Sequence, residues 1–342
     1  MTDPLRIALR QQAESCAGLG SPFMARLCQL LAERLQPDTP LTRRLFDWLG
    51  DLGPSAASVP LRLAGALHAL VLQGHPGLGA VYPPHAPADE ALWLALVNAL
   101  HTEANAIDAF LDSPPQTNEV RRSAALIAIG HWLAARHRLP FVLSELGASA
   151  GLNLLWDRFA LQTQAGHLGP ADPVLTLTPD WRGPLPAQIP LTVTERAGCD
   201  LNPIDVTESV QRLRLLAYLW PDQPQRRILT EAAVAAAPPL PERSDAIDWL
   251  ATRLSPRSGH LHLIWTTVAW QYFPLQSQTR GTEFIEAAGA RATADAPLAW
   301  ASYEADGQSP GAALTLRLWP GDLTIPLGRA DFHGRWIDWR AP

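Results

Sequence analysis

The sequence contains no lysine: all 27 of its basic residues are arginine. That absence removes whole classes of chemistry. Schiff-base aldolases, pyridoxal-phosphate enzymes, P-loop nucleotidases and protein kinases each depend on a lysine in a defined role. Cysteine is nearly as scarce. Cys16, Cys28 and Cys199 are odd in number, scattered and outside any CxxC spacing, which argues against a cysteine zinc site or a disulfide framework. The histidines form no HExxH sequence, and His68, His75, His85 and His101 make no i, i+4 pair, so no metal is expected. Positive charge is short as well. The net charge is −6, whereas a nucleic-acid surface needs a basic face, so no nucleic-acid partner is expected. No apolar run reaches the roughly 18–20 residues that span a bilayer, and the opening MTDPLRIALRQQAESCAG lacks a signal-peptide core. The expectation is a cytoplasmic protein with no membrane partner. No feature of the sequence bears on oligomeric state.

What is present is a chain of 342 residues, 47% hydrophobic and 18% charged, with ample apolar material for a core and more length than one typical domain. Up to about residue 135 it reads as helices. Leu27, Leu30 and Leu31, then Leu41, Leu45, Trp48 and Leu49, recur at three-to-four spacing; 61–72 and 90–110 repeat the pattern between Pro/Gly clusters. The pattern changes at Leu139. Residues 141–146 form a short run of strand formers that ends in glycine, and 152–159 follow as a helical run, the start of a βα unit. Further strands are expected at 191–195, 260–265, 297–304, 312–319 and 323–339. Helices are expected at 206–219, 223–236, from Ser244 onward, and at 276–290. The reading is α/β, with residues 1–112 a helical N-terminal region and 113–342 an α/β domain. Its sheet is expected to be mostly parallel with an antiparallel edge strand.

The segment with chemical content is Glu145-Leu146-Gly147-Ala148-Ser149-Ala150-Gly151. Glycines let the backbone turn sharply and approach a ligand, and a helix start offers unpaired N–H groups. In an open α/β sheet, ligands bind beyond the carboxyl ends of the strands. A carboxylate there suits a cationic or hydroxyl-bearing cofactor better than a pyrophosphate. The dinucleotide fingerprint G-x-G-x-x-G is not met, because Ser149 stands where its second glycine would be. An ordinary strand-to-helix turn is the plain alternative. In the same way Thr117 or Asn118 reads as a helix N-cap, with Glu119 favourable in the first turn.

Glu145-x-Gly147-x-x-x-Gly151 resembles the first motif of class I S-adenosylmethionine-dependent methyltransferases. The blocks Gln116-Thr117-Asn118-Glu119-Val120-x-Arg122-Ser123, Glu145 to Leu154, Asp157-Arg158, Arg196-x-Gly198-x-Asp200 to Asp205, Trp220-Pro221-Asp222-Gln223, Trp270-Gln271-Tyr272 and His333-Gly334 are similar to one bacterial family, domain of unknown function 2332. The methyltransferase resemblance implies a Rossmann-like sheet of about seven strands and S-adenosylmethionine as cofactor. It sets Glu145, Gly147, Ser149, Gly151 and Asn153 along the methionine and ribose. Glu195 would meet the ribose hydroxyls, with Asp200 its competitor, and Asp245 the adenine amine. Asn118, Arg122, Trp265, Thr266, Trp270 and Gln271 would border the acceptor, and Glu119, His262 and His333 are candidate bases. The lack of an Asn/Asp-Pro-Pro-Tyr sequence speaks against base-amine methylation, which leaves a small-molecule or peptidic acceptor. The rival expectation is a catalytically inactive protein of the same fold that binds a nucleoside ligand as a regulatory or interaction module.

Overall fold

The computed structural model describes residues 3–54 and 56–341. In chain order its helices are α1 (Pro4–Gly18), α2 (Pro22–Arg34), α3 (Pro40–Phe46), α4 (Val59–Leu72), α5 (Pro76–Gly79), α6 (Asp89–Thr102), α7 (Ala104–Leu111), α8 (Ser123–His137), α9 (Ser209–Ala217), α10 (Pro224–Ala235), α11 (Ala246–Arg253) and α12 (Leu275–Gly289). The strands are β1 (Phe141–Leu146), β2 (Ala160–Thr163), β3 (Gly166–Leu168), β4 (Thr176–Leu177), β5 (Asp180–Arg182), β6 (Val193–Asp200), β7 (Glu242–Arg243), β8 (Leu261–Thr267), β9 (Leu298–Glu304), β10 (Ala312–Trp319), β11 (Leu323–Ala330) and β12 (Trp336–Trp339). They gather into two compact units. One comprises the chain up to Thr117 with Thr207–Ile228, the other Asn118–Val206 with Leu229 onward.

The first unit is helical. Asp3, Ser21 and Thr39 each precede a proline, and their side-chain oxygens accept from Leu5 N (2.9 Å), Met24 N (3.3 Å) and Thr42 N (3.1 Å). Proline is harmless in a first turn because its missing N–H has no helical partner there, while the cap satisfies a neighbour that does need one. The amphipathic faces then bury Leu5, Leu9, Leu27, Leu31, Leu63 and Leu67 in one cluster. Two boundaries differ from the periodicity. α3 stops at Phe46, short of Trp48 and Leu49, and the 90–110 pattern is two helices meeting at Glu103.

The second unit is built on a nine-stranded sheet in the order β5-β12-β11-β10-β9-β8-β1-β6-β7. Five of its eight pairings are parallel. The expected mostly parallel α/β sheet is therefore present, with two corrections. There are nine strands in place of seven, and the antiparallel part is the run β9–β10–β11–β12, with β5 outermost. Every residue of β1 and β8 is buried, as befits central strands covered on both faces. On one face Phe141 meets Trp156 edge-on at 6.3 Å, and Trp156 lies against Gly130 of α8. On the other, Leu146, Cys199 and Ile264 pack with Trp249 and Leu250 of α11 and Ile285 and Ala288 of α12.

A Cβ at Gly130 would lie 2.2 Å from the Trp156 ring. Gly130→Ala should therefore cost about 2 kcal/mol through overpacking, although alanine is the better helix former. Urea denaturation measures this, and an unchanged or raised midpoint would contradict the packing.

The segment after the glycine loop is a 3₁₀ turn, Leu152–Arg158, and not the expected α-helix. Leu152, Asn153, Leu154, Leu155 and Trp156 are all buried, and the turn closes at Phe159, whose N–H donates to Trp156 O. The chain then enters β2, in a small sheet ordered β3-β2-β4. The second parallel strand also differs: it runs Val193–Asp200, beyond the expected end at Glu195. Among the described residues no helix is long and apolar enough to cross a membrane.

Candidate functional site

From β1 the sheet proceeds to β6 and β7 on one side, while β8 and β9 lie on the other. The strand order reverses between β1 and β8. Loops leaving their carboxyl ends diverge there, and such a switch point is where open α/β sheets bind ligands. Two loops border it, 147–151 after β1 and 268–271 after β8. They touch: a Cβ on Gly147, whose φ is +71°, would lie 2.7 Å from the Ala269 methyl.

The 147–151 loop spends its amides on the protein itself. Gly147 N and Ala148 N donate to Cys199 O (3.0 and 2.9 Å), Gly151 N to Ala148 O (2.8 Å) and Leu152 N to Asn118 Oδ1 (2.9 Å). Ser149 N donates to Asp200 Oδ2 at 2.9 Å, while Oδ1 of the same carboxylate accepts from Asn202 N at 2.8 Å. Ser149 is held in the left-handed region, φ +54°, between two glycines that share it. With the N–H groups of Gly147, Ala148, Ser149 and Gly151 engaged and no α-helix start behind them, the loop is ill suited to cradle a phosphate.

Glu145, the penultimate residue of β1, is 1% exposed, and its Oε2 has no hydrogen-bond partner among the described residues. Its neighbour across the ladder is Trp265 on β8. The Trp265 indole N–H stands beside the carboxyl but falls outside hydrogen-bond geometry. Burial pushes the Glu145 pKa up to about 8; Trp265 opposes that rise, Asp200 adds to it by repulsion, and Arg122 opposes it by attraction. The group is thus poised to be protonated near neutral pH unless a cation arrives.

The polar block before α8 is drawn to the same place. Besides the Asn118 bond to the loop, Ser123 Oγ donates to Asn153 Oδ1 at 2.7 Å and Asn153 Nδ2 donates to Glu119 O at 3.4 Å. Glu119 caps the turn Val120–Arg122 and pairs with Arg121 at 3.0 Å. Arg122 reaches the other side of the crevice, its Nη1 donating to Thr267 O at the end of β8 and its Nε to Phe332 O, both at 2.9 Å. The cap is therefore Glu119 and not Thr117 or Asn118 as expected, because the Asn118 side chain is spent on Leu152 N of the glycine loop.

The wall after β8 is held by a residue that carries no motif. Glu304, the last residue of β9, is buried and accepts from Ala269 N (3.0 Å), Trp270 N (3.2 Å) and Gln271 N (3.4 Å). Burial raises its pKa and these amides pull it back. The cradle follows Val268, a β-branched residue at φ +55°, whose N–H donates to Tyr303 O at 2.8 Å. Strain of this kind persists only where the surroundings over-determine it. Trp270 packs on Trp300 and Phe273 (5.2 and 5.4 Å), and Gln271 Oε1 accepts from Ala305 N at 2.9 Å. Trp265 and Thr266 are buried within β8 itself.

Four predicted residues lie elsewhere or are engaged. Glu195 sits opposite Val142, about 16 Å short of the end of β6 at roughly 3.3 Å per residue, and pairs with Arg253 (2.7 Å) and Arg257 (3.2 Å). The acid that ends the strand is Asp200. His262 lies in the amino half of β8, on the face opposite Glu145. Its Nε2 is 2.8 Å from Ser144 Oγ, and burial pushes its pKa down to about 4. Asp245 is the N-cap of α11, accepting from Ile247 N and Asp248 N, next to Ser244, whose N–H donates to Asp200 O. His333 lies in the Asp331 turn, where Gly334 abuts the Arg121 carbonyl. Among the described residues no group of three or more His, Cys, Asp or Glu is arranged to hold a metal.

The fold is that of an α/β protein whose sheet reverses its strand order between β1 and β8. The chain belongs to the family described as uncharacterized protein conserved in bacteria, domain of unknown function 2332, which matches over residues 6–339. No curated protein and no solved structure matches it.

Proposed function

We propose that the chain is a cytoplasmic S-adenosylmethionine-dependent methyltransferase acting on a small-molecule or peptidic acceptor. The observation that carries this reading is the Glu145 carboxyl: buried, unpartnered, and at the carboxyl end of β1 where the strand order reverses. A dinucleotide would bring phosphate to a loop whose amides are engaged. A sulfonium nucleoside brings positive charge to a carboxyl that lacks a partner. The parallel run β7-β6-β1-β8-β9 and Gly147, which leaves room beside Ala269, support the same reading of a Rossmann-like core.

The cofactor supplies a methyl group on sulfur for in-line displacement, so the protein's share is placement and exclusion of water. Gly147, Ser149 and Asn153 form one wall and the 268–271 turn the other. Asn118 and Arg122 hold the two walls together. The candidate bases are compromised: Glu119 is ion-paired and His262 lies on the other face. That favours an acceptor needing no proton removal, and it also sustains the second reading, a binding or regulatory module that takes a nucleoside ligand without transfer.

Isothermal titration with S-adenosylmethionine, S-adenosylhomocysteine and NAD is the test. Micromolar binding of either sulfur nucleotide is expected, with none of NAD. Gly147→Asp should abolish it, because any side chain there is strained and meets Ala269. Silence toward both sulfur nucleotides at millimolar concentration would refute the reading. Binding without methyl transfer to any metabolite fraction would favour the regulatory one.

A further inference from the structure

We propose that Arg62 and Arg214 form a binding site for a phosphate group in the helical unit, separate from the crevice at β1. The site goes beyond the methyltransferase reading and does not depend on it. Arg62 stands in the first turn of α4 and Arg214 on α9, and both reach the carboxyl end of α7. Arg62 Nη1 donates to Leu111 O at 2.7 Å and its Nε to Ala57 O at 2.6 Å. Arg214 Nη2 donates to Phe110 O (2.9 Å), Ser113 O (2.7 Å) and Tyr218 Oη (3.3 Å), and its guanidinium lies 4.2 Å from the Phe110 ring centre. In these bonds each arginine caps orphan carbonyls, at a helix end that carries only about half a negative charge.

Positive charge is left over. Neither Arg62 nor Arg214 has a carboxylate within ion-pair distance among the described residues; the two acids at this helix end, Asp108 and Asp112, both turn to Arg44, at 2.7 and 2.6 Å. Those acids stand in solvent, whereas Arg62 is 8% exposed. Burial holds its pKa below the ordinary arginine value; Tyr218 and Asp112 oppose the shift, while Arg214 and Arg44 add to it by repulsion. Trp48 offers Arg44 and Arg62 a ring at 5.4 and 5.3 Å, a weaker partner than a counter-ion. A buried cation without a counter-ion is the costly state that an arriving anion relieves. Arg62 Nη2 and Arg214 Nε and Nη1 make no hydrogen bond among the described residues, so donors remain for it. A carboxylate brings one charge and one fork. A phosphate dianion matches two guanidiniums and has oxygens for both.

The full-length protein is titrated calorimetrically with inorganic phosphate, with glycerol 3-phosphate as a simple monoester, and with acetate. Phosphate should bind at least about tenfold tighter than acetate, and Arg62→Met and Arg214→Met should each weaken it at least about tenfold, the usual weight of a charge-assisted hydrogen bond. Arg10→Met, on the exposed face of α1, should leave the affinity unchanged. Either order of the two phosphates supports the site and tells its source: a tighter monoester points to a phosphorylated metabolite, a tighter inorganic ion to free phosphate. Phosphate binding that survives both arginine substitutions overturns the site, as does silence toward both phosphates at millimolar concentration. Because Arg62 also caps α7, its variant is checked for folding first. If it does not fold, Arg214→Met decides alone: a tenfold loss supports the site and an unchanged affinity overturns it.

Discussion

Glu145→Gln should remove a pH dependence of stability that the wild type carries between about pH 4.5 and 8. The folded-state pKa is about 8 against an ordinary 4.5, so within that window the folded chain holds a proton that the unfolded chain releases. Stability from this residue is complete below pH 4.5 and is lost as the pH rises through 8. The loss is on the order of 3 kcal/mol, allowing for relaxation of a buried site. Glutamine does not titrate. The variant should therefore lose less stability than the wild type between pH 5.5 and 8.5, and any fixed effect of burying an amide cancels in that comparison. His68, His131 and His262, each pushed down to about 4 by burial, act with the opposite sign. Their contribution is present above pH 6.5 and lost as the pH falls toward 4, equally in both proteins. Urea denaturation at the two pH values measures the difference, and parallel pH profiles would refute the assignment. A cationic ligand should reverse the effect, since its binding ionises Glu145 and releases the proton.

Glu304→Ala should be the most damaging single change outside the apolar core, at about 3 kcal/mol, because it removes the acceptor of three backbone amides. Glu304→Gln should cost about half of that, since a side-chain amide retains one acceptor oxygen but no charge. The damage should be local first. Without the cradle, the Val268 N–H bond to Tyr303 O and the Trp270 packing are left to hold Val268 in the left-handed region, and Ala269 should loosen from its contact with Gly147. Hydrogen exchange resolves this: protection at Ala269, Trp270 and Gln271 should fall by far more than protection in β8. A variant in which those amides stay protected would mean that the turn is held by something other than the carboxylate.

These two residues mark how legible the molecule was. Glu145 was readable because the signal is local: a continuous apolar run makes β1 and the glycines after it mark its end. β10 was equally plain from its alternation. β6 was misjudged because Glu195, Arg196 and Asp200 look like the end of a strand. They remain within it because Arg196 pairs with Asp157 at 2.6 Å and Glu195 with Arg253 at 2.7 Å, pairings made with segments distant in sequence. The 3₁₀ turn after Gly151 was missed for another reason. Apolar spacing alone does not separate a 3₁₀ turn from an α-helix over so few residues, and here the chain leaves the turn at Phe159 to enter β2. Glu304 had no signal at all. Its partners lie 33–35 residues earlier in the chain, and a lone glutamate at the end of an alternating strand resembles any solvent-facing one. The Asn118–Arg122 block was visible as a polar cluster, but its role as the strap between two strand ends exists only in three dimensions.

The self-satisfied 147–151 loop has one more consequence. A loop fastened by Cys199 O, Asp200 and Asn118 loses its conformational freedom when the chain folds, so a ligand arriving later does not bear that entropy. The wall is cast before the guest is chosen. Discrimination must then reside in the side chains that border it, above all Glu145 at the end of β1. A lineage of such proteins would be free to change what it binds by exchanging that residue while the mould stays the same.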